Sequence, residues 1–96
     1  MKKHFAITDD FMDPVYAVKV LGGHHVLCQG WIMQVLSPLS CTVEWSYGGR
    51  RHRTREYFHD IWRSPGSVIQ HYVKDLRTKL QLQAEDFYET QPVEEL

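Results

Sequence analysis

Cysteine is scarce in this chain of 96 residues: only Cys28 and Cys41 occur. No apolar run is long enough to span a bilayer or to act as a leader, so a reducing, cytoplasmic setting with no membrane partner is expected. A disulfide between the two thiols would require their strands to be neighbours. Cys-x-x-Cys and His-x₃-His spacings are both missing, which removes the usual frame of a structural zinc site. The glycines are also few, and four of the six form the pairs Gly22-Gly23 and Gly48-Gly49. Each pair sits between strand-like runs and neither leads into a helix, so a glycine-rich phosphate loop is excluded. An excess of charge of one sign is lacking too: the formal net charge is -1, and the whole-protein field announces neither nucleic acid nor an anionic membrane.

What the chain does hold is aromatic surface and an uneven distribution of charge. Three Trp, five Tyr and four Phe supply large buried areas, enough for the small core of one domain spanning 1–96. Eight of the eleven Lys and Arg lie between Arg50 and Lys79, whereas 85–96 carries five acids and no base. Such a dipolar chain can steer a partner or fold its acidic end over its own basic face.

The basic half centres on Cys41 to Phe58. Side chains on a strand alternate between faces, so Cys41, Val43, Trp45 and Tyr47 share one face and Thr42, Glu44 and Ser46 the other. Gly48-Gly49 suits a two-residue hairpin turn that demands positive φ. The register follows: Tyr47 faces Arg50, Trp45 faces His52, Val43 faces Thr54 and Glu44 faces Arg53. Arg51, Arg53 and Arg55 then line the polar face beside Glu44, because the opposite register would press them into the core.

Upstream, the start of the chain offers a short apolar alternation at Phe5 and Ile7, read as an edge strand, and an acidic loop ending at Pro14. Val15 to Leu21 is rich in β-branched residues and is followed by Gly22-Gly23, a strand and then a tight turn. Val26 to Leu36 is a second strand in which Gly30 is expected to mark a bulge or corner. Ser37 to Ser40 is the next turn. Downstream, Phe58, Ile61 and Trp62 suit one helical or 3₁₀ turn, and Ser64-Pro65 supplies an N-cap with proline at the first helical position. Val68, Ile69, Tyr72, Val73, Leu76 and Leu80 recur at helical spacing. The reading is α+β: a strand-rich sheet over 14–62, one amphipathic helix over 65–84, and an acidic, mobile tail over 85–96.

Four meandering strands are enough to curl into a small SH3-like barrel. The run Val18-Lys19-Val20-Leu21-Gly22-Gly23, the apolar strand after it, Cys41 to Trp45 with a Gly-Gly turn, and the closing Phe58 and Ile61 resemble the small SH3-like barrels of the YodC-like kind. The resemblance covers roughly the middle half of the chain, and the long C-terminal helix departs from it. It implies a small barrel and little about activity, since fold does not fix function.

Functionally, Arg50, Arg51, Arg53 and Arg55 place four guanidinium forks within six residues, suited to carboxylates or phosphates. Tyr57 and Tyr47 are the adjacent aromatic contacts. A charged edge strand also deters sheet-to-sheet aggregation. The Glu56-x-x-His59 pair occurs once, where di-metal carboxylate sites need it twice. A thiol nucleophile is disfavoured, because both cysteines sit in apolar strand patterns. An enzyme or metal protein using His24, His25, Cys28 and His52 is the weakest reading, and neither metal nor cofactor is expected. The preferred reading is a non-catalytic module docking its arginine strand onto an anionic surface of a larger protein or complex, as a regulator or inhibitor by occlusion. The alternative is a nucleic-acid-binding barrel using the same strand on phosphates. Leu82, Phe87 and Tyr88 extend apolar surface beyond the helix stripe and mark a candidate homodimer or partner contact.

Overall fold

The computed structural model describes residues 13–89. The expected N-terminal edge strand at Phe5 and Ile7 lies outside them. Within them the chain forms a four-stranded antiparallel sheet in sequence order, β1 (Val15–Leu21), β2 (His24–Ser37), β3 (Ser40–Tyr47) and β4 (Arg50–Tyr57). A 3₁₀ turn at Phe58–Asp60 follows, then helices α1 (Pro65–Ile69) and α2 (Lys74–Glu89). The β3–β4 register pairs Tyr47 with Arg50, Trp45 with His52, Glu44 with Arg53 and Val43 with Thr54, as the turn chemistry requires. Gly48 and Gly49 hold φ of 61° and 71°, values that other residues adopt only at a cost.

The sheet curls towards one face. Lys19 on β1 reaches Glu56 on β4 at 2.5 Å, although three inter-strand spacings of about 4.8 Å would separate these strands in a flat sheet. Inside the curl lie Val15, Ala17, Cys28, Ile32, Cys41, Val43 and Trp45, closed at one end by Phe58 and Ile61. The polar groups caught there satisfy one another. Trp45 Nε1 donates to Thr54 Oγ1 at 2.8 Å, and Thr54 Oγ1 donates to Glu56 Oε2 at 2.5 Å. The Lys19 ammonium completes the chain over the Trp45 ring, 4.9 Å from its centroid.

Gly30 is not the corner that strand glycines often mark. It pairs in register with both Val15 and Trp45, and a Cβ there would meet Trp45 Cε3 at 2.7 Å and Glu44 O at 2.8 Å. The glycine makes room for the indole. The irregularities of β2 come later, between Ile32 and Gln34 and between Val35 and Ser37. Each inserts one unpaired residue, Met33 and Leu36, and bends the strand.

Among the described residues the helices cover the convex face chiefly over β1 and β2. Tyr16 and Leu27 pack there against Val68, Ile69, Leu80 and Ala84. The single helix expected over 65–84 is two. His71 and Tyr72 donate to Val68 O and Ile69 O, which tightens and ends α1, and α2 restarts with Arg77 N–H donating to Val73 O. The intervening His71-Tyr72-Val73 are weak helix formers, and Val73, expected in the core stripe, is 74 % exposed. Hydrophobic spacing alone cannot separate one straight helix from two that meet at a corner. The cap at Ser64 is as expected, with its hydroxyl accepting from Ser67 N–H at 3.2 Å. Helix α2 continues to Glu89, past the expected boundary at 84, and the remainder of the acidic segment read as a mobile tail, 90–96, lies outside the described residues.

Gln83 fixes α2 to the sheet. β3 pairs with β2 only from Gln29 onward, which leaves an unpaired edge at the start of β2. Gln83 Oε1 accepts from Leu27 N–H at 2.8 Å, and Gln83 Nε2 donates to His25 O at 3.1 Å. Gln83→Ala is expected to cost about 1–3 kcal/mol, the penalty for stranding two part-buried backbone groups. Urea unfolding checks this, and Gln83→Glu, which retains only an acceptor, should recover part of the loss.

Among the described residues no helix is long and apolar enough to cross a membrane.

Candidate functional site

Among the described residues the helices pack chiefly over β1 and β2, and alternation loads the convex face of β3 and β4. Arg51, Arg53 and Arg55 project there from β4, with Glu44 opposite Arg53 on β3. The Glu44 carboxylate is shared: Oε1 lies 3.5 Å from Arg51 Nη1 and Oε2 lies 3.2 Å from Arg53 Nε. Among the described residues, one carboxylate against three guanidiniums leaves the face positive. The arginines remain largely in water, with side chains 79 % and 61 % exposed for Arg51 and Arg53. Exposed pairs of this kind contribute little to folding. Arg55 sits over the Tyr57 ring at 5.9 Å, and Tyr57 stacks on His59 with ring centroids 5.6 Å apart.

Two further residues belong to this face. Trp31 pairs with Glu44 across the β2–β3 ladder, and Met33 is the unpaired residue of the first bulge. With Ser46 and Arg51 they line a shallow groove of about 360 Å³. The sequence signal for Trp31 was present in its parity, which places it with Glu44 once the β2–β3 register is known. Met33 had none, because a bulge resets the alternation.

Arg50 and Tyr47 lie elsewhere. They close the hairpin on the opposite face, where Tyr47 packs against His52 at 4.2 Å between ring centroids and joins the margin of the core. Of the residues singled out from the sequence, the structure therefore brings together Arg51, Arg53, Arg55 and Tyr57, and separates Arg50 and Tyr47 from them.

Comparison with family models, with curated proteins and with solved structures gives no match.

The other candidate chemistry does not converge. His24 is exposed at the β1–β2 turn, His25 lies edge-on to Tyr72 at 6.1 Å, and His52 packs on Tyr47. Among the described residues no group of three or more His, Cys, Asp and Glu side chains comes together to hold a metal. Glu56 turns to Lys19 while His59 stacks on Tyr57, so they form no common site. Cys28 and Cys41 are free and buried. Cys41 pairs with Val35, whereas Gln29 beside Cys28 pairs with Ser46, and the two thiols sit at opposite ends of the β2–β3 ladder. Burial pushes both thiols up from 9.0 to about 11, with Lys19 opposing the shift at Cys28 and Glu56 adding to it at Cys41. The neutral thiol is thereby favoured in the fold. Stability from this source is present below pH 9.0 and is lost as pH rises towards about 11. Both thiols should resist iodoacetamide at about pH 8 in the native protein and react on unfolding in urea; mass spectrometry of the alkylated chain checks this.

On α2, Leu82 is 63 % exposed, and it lines a second shallow groove with Lys74, Arg77, Thr78 and Gln81. Phe87 instead packs edge-on against Tyr16 at 5.6 Å, so it is drawn into the helix–sheet core rather than left as surface. The Tyr88 side chain lies outside what the structure describes.

Proposed function

We propose that this protein is a non-catalytic interaction module that docks the convex face of β3 and β4 onto an anionic surface of a larger protein, regulating or inhibiting it by occlusion. The observation that carries this reading is the set of three exposed arginines, two of which, Arg51 and Arg53, share a single partly exposed carboxylate, beside a groove flanked by Trp31 and Met33. Arginine, tryptophan and methionine are residue types enriched at protein interfaces. A purely electrostatic phosphate-binding face gains little from a groove of this make-up, which favours protein over nucleic acid. The finer fold reading is a small SH3-like barrel. The Lys19–Glu56 contact across the curl and the bridge between Tyr16 and Trp62 support it. A reducing, cytoplasmic setting is part of the same reading, supported by the register that holds the two thiols apart.

The test is capture from a native lysate on immobilised protein, with and without nuclease. A defined protein retained after nuclease supports the reading. Capture that disappears with nuclease transfers the face to nucleic acid, and an empty capture in both samples overturns both.

A further inference from the structure

The same four residues that load the convex face also hold the outer edge of the sheet that the described residues form. In an antiparallel ladder, pairs that exchange both backbone hydrogen bonds alternate with pairs that exchange none. Phe58 N–H donates to Leu39 O at 2.9 Å, and Tyr47 and Arg50 close a two-residue turn. Both facts set one parity: Arg50, His52, Thr54 and Glu56 bond inward to β3. Arg51, Arg53, Arg55 and Tyr57 therefore aim their N–H and C=O groups away from the sheet. Among the described residues β4 ends the strand order. Elsewhere the chain covers its own edges, with Trp62 bonding both backbone groups of Tyr16 on β1 at 2.7 and 2.9 Å and Gln83 engaging the start of β2.

We infer that the β4 edge takes up an extended acidic segment of another protein as a fifth, antiparallel strand, with carboxylates at alternate positions opposite Arg51, Arg53 and Arg55. This rests on the proposed docking function and names the form of its partner. Charge selects the occupant. A second copy pairing β4 with β4 would set arginine opposite arginine across the ladder, and directly opposed like charges destabilise a strand pair. Acidic side chains at every second position fall on the convex face beside the guanidiniums, where bidentate pairing is available. Main-chain bonds then supply affinity and the alternate acids supply selectivity, the logic of strand addition.

The test uses the full ¹⁵N-labelled chain and three synthetic octapeptides: one alternating Glu and Val, one with the same composition in Glu-Glu-Val-Val order, and the alternating peptide methylated on its Glu backbone nitrogens. The alternating peptide is expected to slow hydrogen exchange at the Arg51, Arg53 and Arg55 amides about tenfold or more, with weaker binding by the block peptide and none by the methylated one. Equal binding by the methylated peptide, with shifts confined to arginine side chains, overturns strand addition but leaves docking by charge standing. Absence of binding by all three at about millimolar concentration, where a weak contact still registers, also overturns strand addition, and capture from lysate then decides the docking function separately.

Discussion

Arg51→Glu/Arg53→Glu is expected to abolish partner capture while moving Tm by no more than a few degrees. Both side chains are largely exposed and share one carboxylate, and surface pairs of this kind are worth about 0–1 kcal/mol each. Reversal places two further carboxylates beside Glu44, a modest repulsion that water and salt screen. At an interface the same change turns two attractions into two repulsions, each swing worth about 1–2 kcal/mol. Together these amount to about 2–4 kcal/mol, a range centred near the roughly 2.8 kcal/mol of a hundredfold loss. Capture yield and a thermal melt on the same preparation check both halves. A variant that fails to fold would place the arginines in the structure rather than on a docking face.

Gly30→Val is expected to have the opposite profile, a collapse of stability. A Cβ at this position meets Trp45 Cε3 at 2.7 Å, Val43 Cγ1 at 2.8 Å and the backbone oxygen of Glu44 at 2.8 Å. None of these can yield cheaply. Trp45 is fully buried, its indole N–H is held by Thr54 at 2.8 Å, and Lys19 lies over its ring. Glu44 O belongs to the β2–β3 pairing, so moving it opens the ladder next to the core. Overpacking costs about 1–3 kcal/mol where neighbours adjust, and here backbone must move as well. A loss of about 3 kcal/mol or more is expected, lowering Tm by roughly 12–24 °C or more in a domain of this size. Gly30→Ala should lose about half of that, since it adds the clashing atom without the branches. A Tm within about 3 °C of the wild type, equivalent to under 1 kcal/mol, would show that the indole has room to shift.

The parts of the fold that were legible in the sequence are those fixed by neighbours along the chain. Gly48-Gly49 and the alternation from Cys41 to Tyr47 determined the β3–β4 register, and with it the arginine face. Ser64-Pro65 marked a helix start for the same local reason. What was hidden depends on contacts between distant segments. Gln83 occupies a polar position of an amphipathic helix, and nothing local reveals that the start of β2 lacks a neighbour for Leu27 N–H and His25 O. Glu56 looks like one more charge on a charged strand, yet it sits on the core side because Lys19, thirty-seven residues away, neutralises it there. Gly30 carried a signal of the right kind, a strand glycine, with two structural meanings; only the position of Trp45 distinguishes close approach from a corner. Trp31 and Met33 escaped for a related reason, since the β2–β3 register contains bulges that alternation cannot foresee.

The measurement that tests the docking face most directly is the Kd of the captured protein for Glu44→Gln against wild type, at low and at high salt. Glu44 neutralises part of the charge of Arg51 and Arg53, so its removal should strengthen attraction to an anionic partner even as it removes two surface pairs. Affinity is expected to rise about three- to tenfold at roughly 50 mM salt, with the gain vanishing near 1 M, where the Debye length falls to about 3 Å. An unchanged or weaker affinity at low salt would contradict the account, because it would mean that the partner does not meet the arginine face.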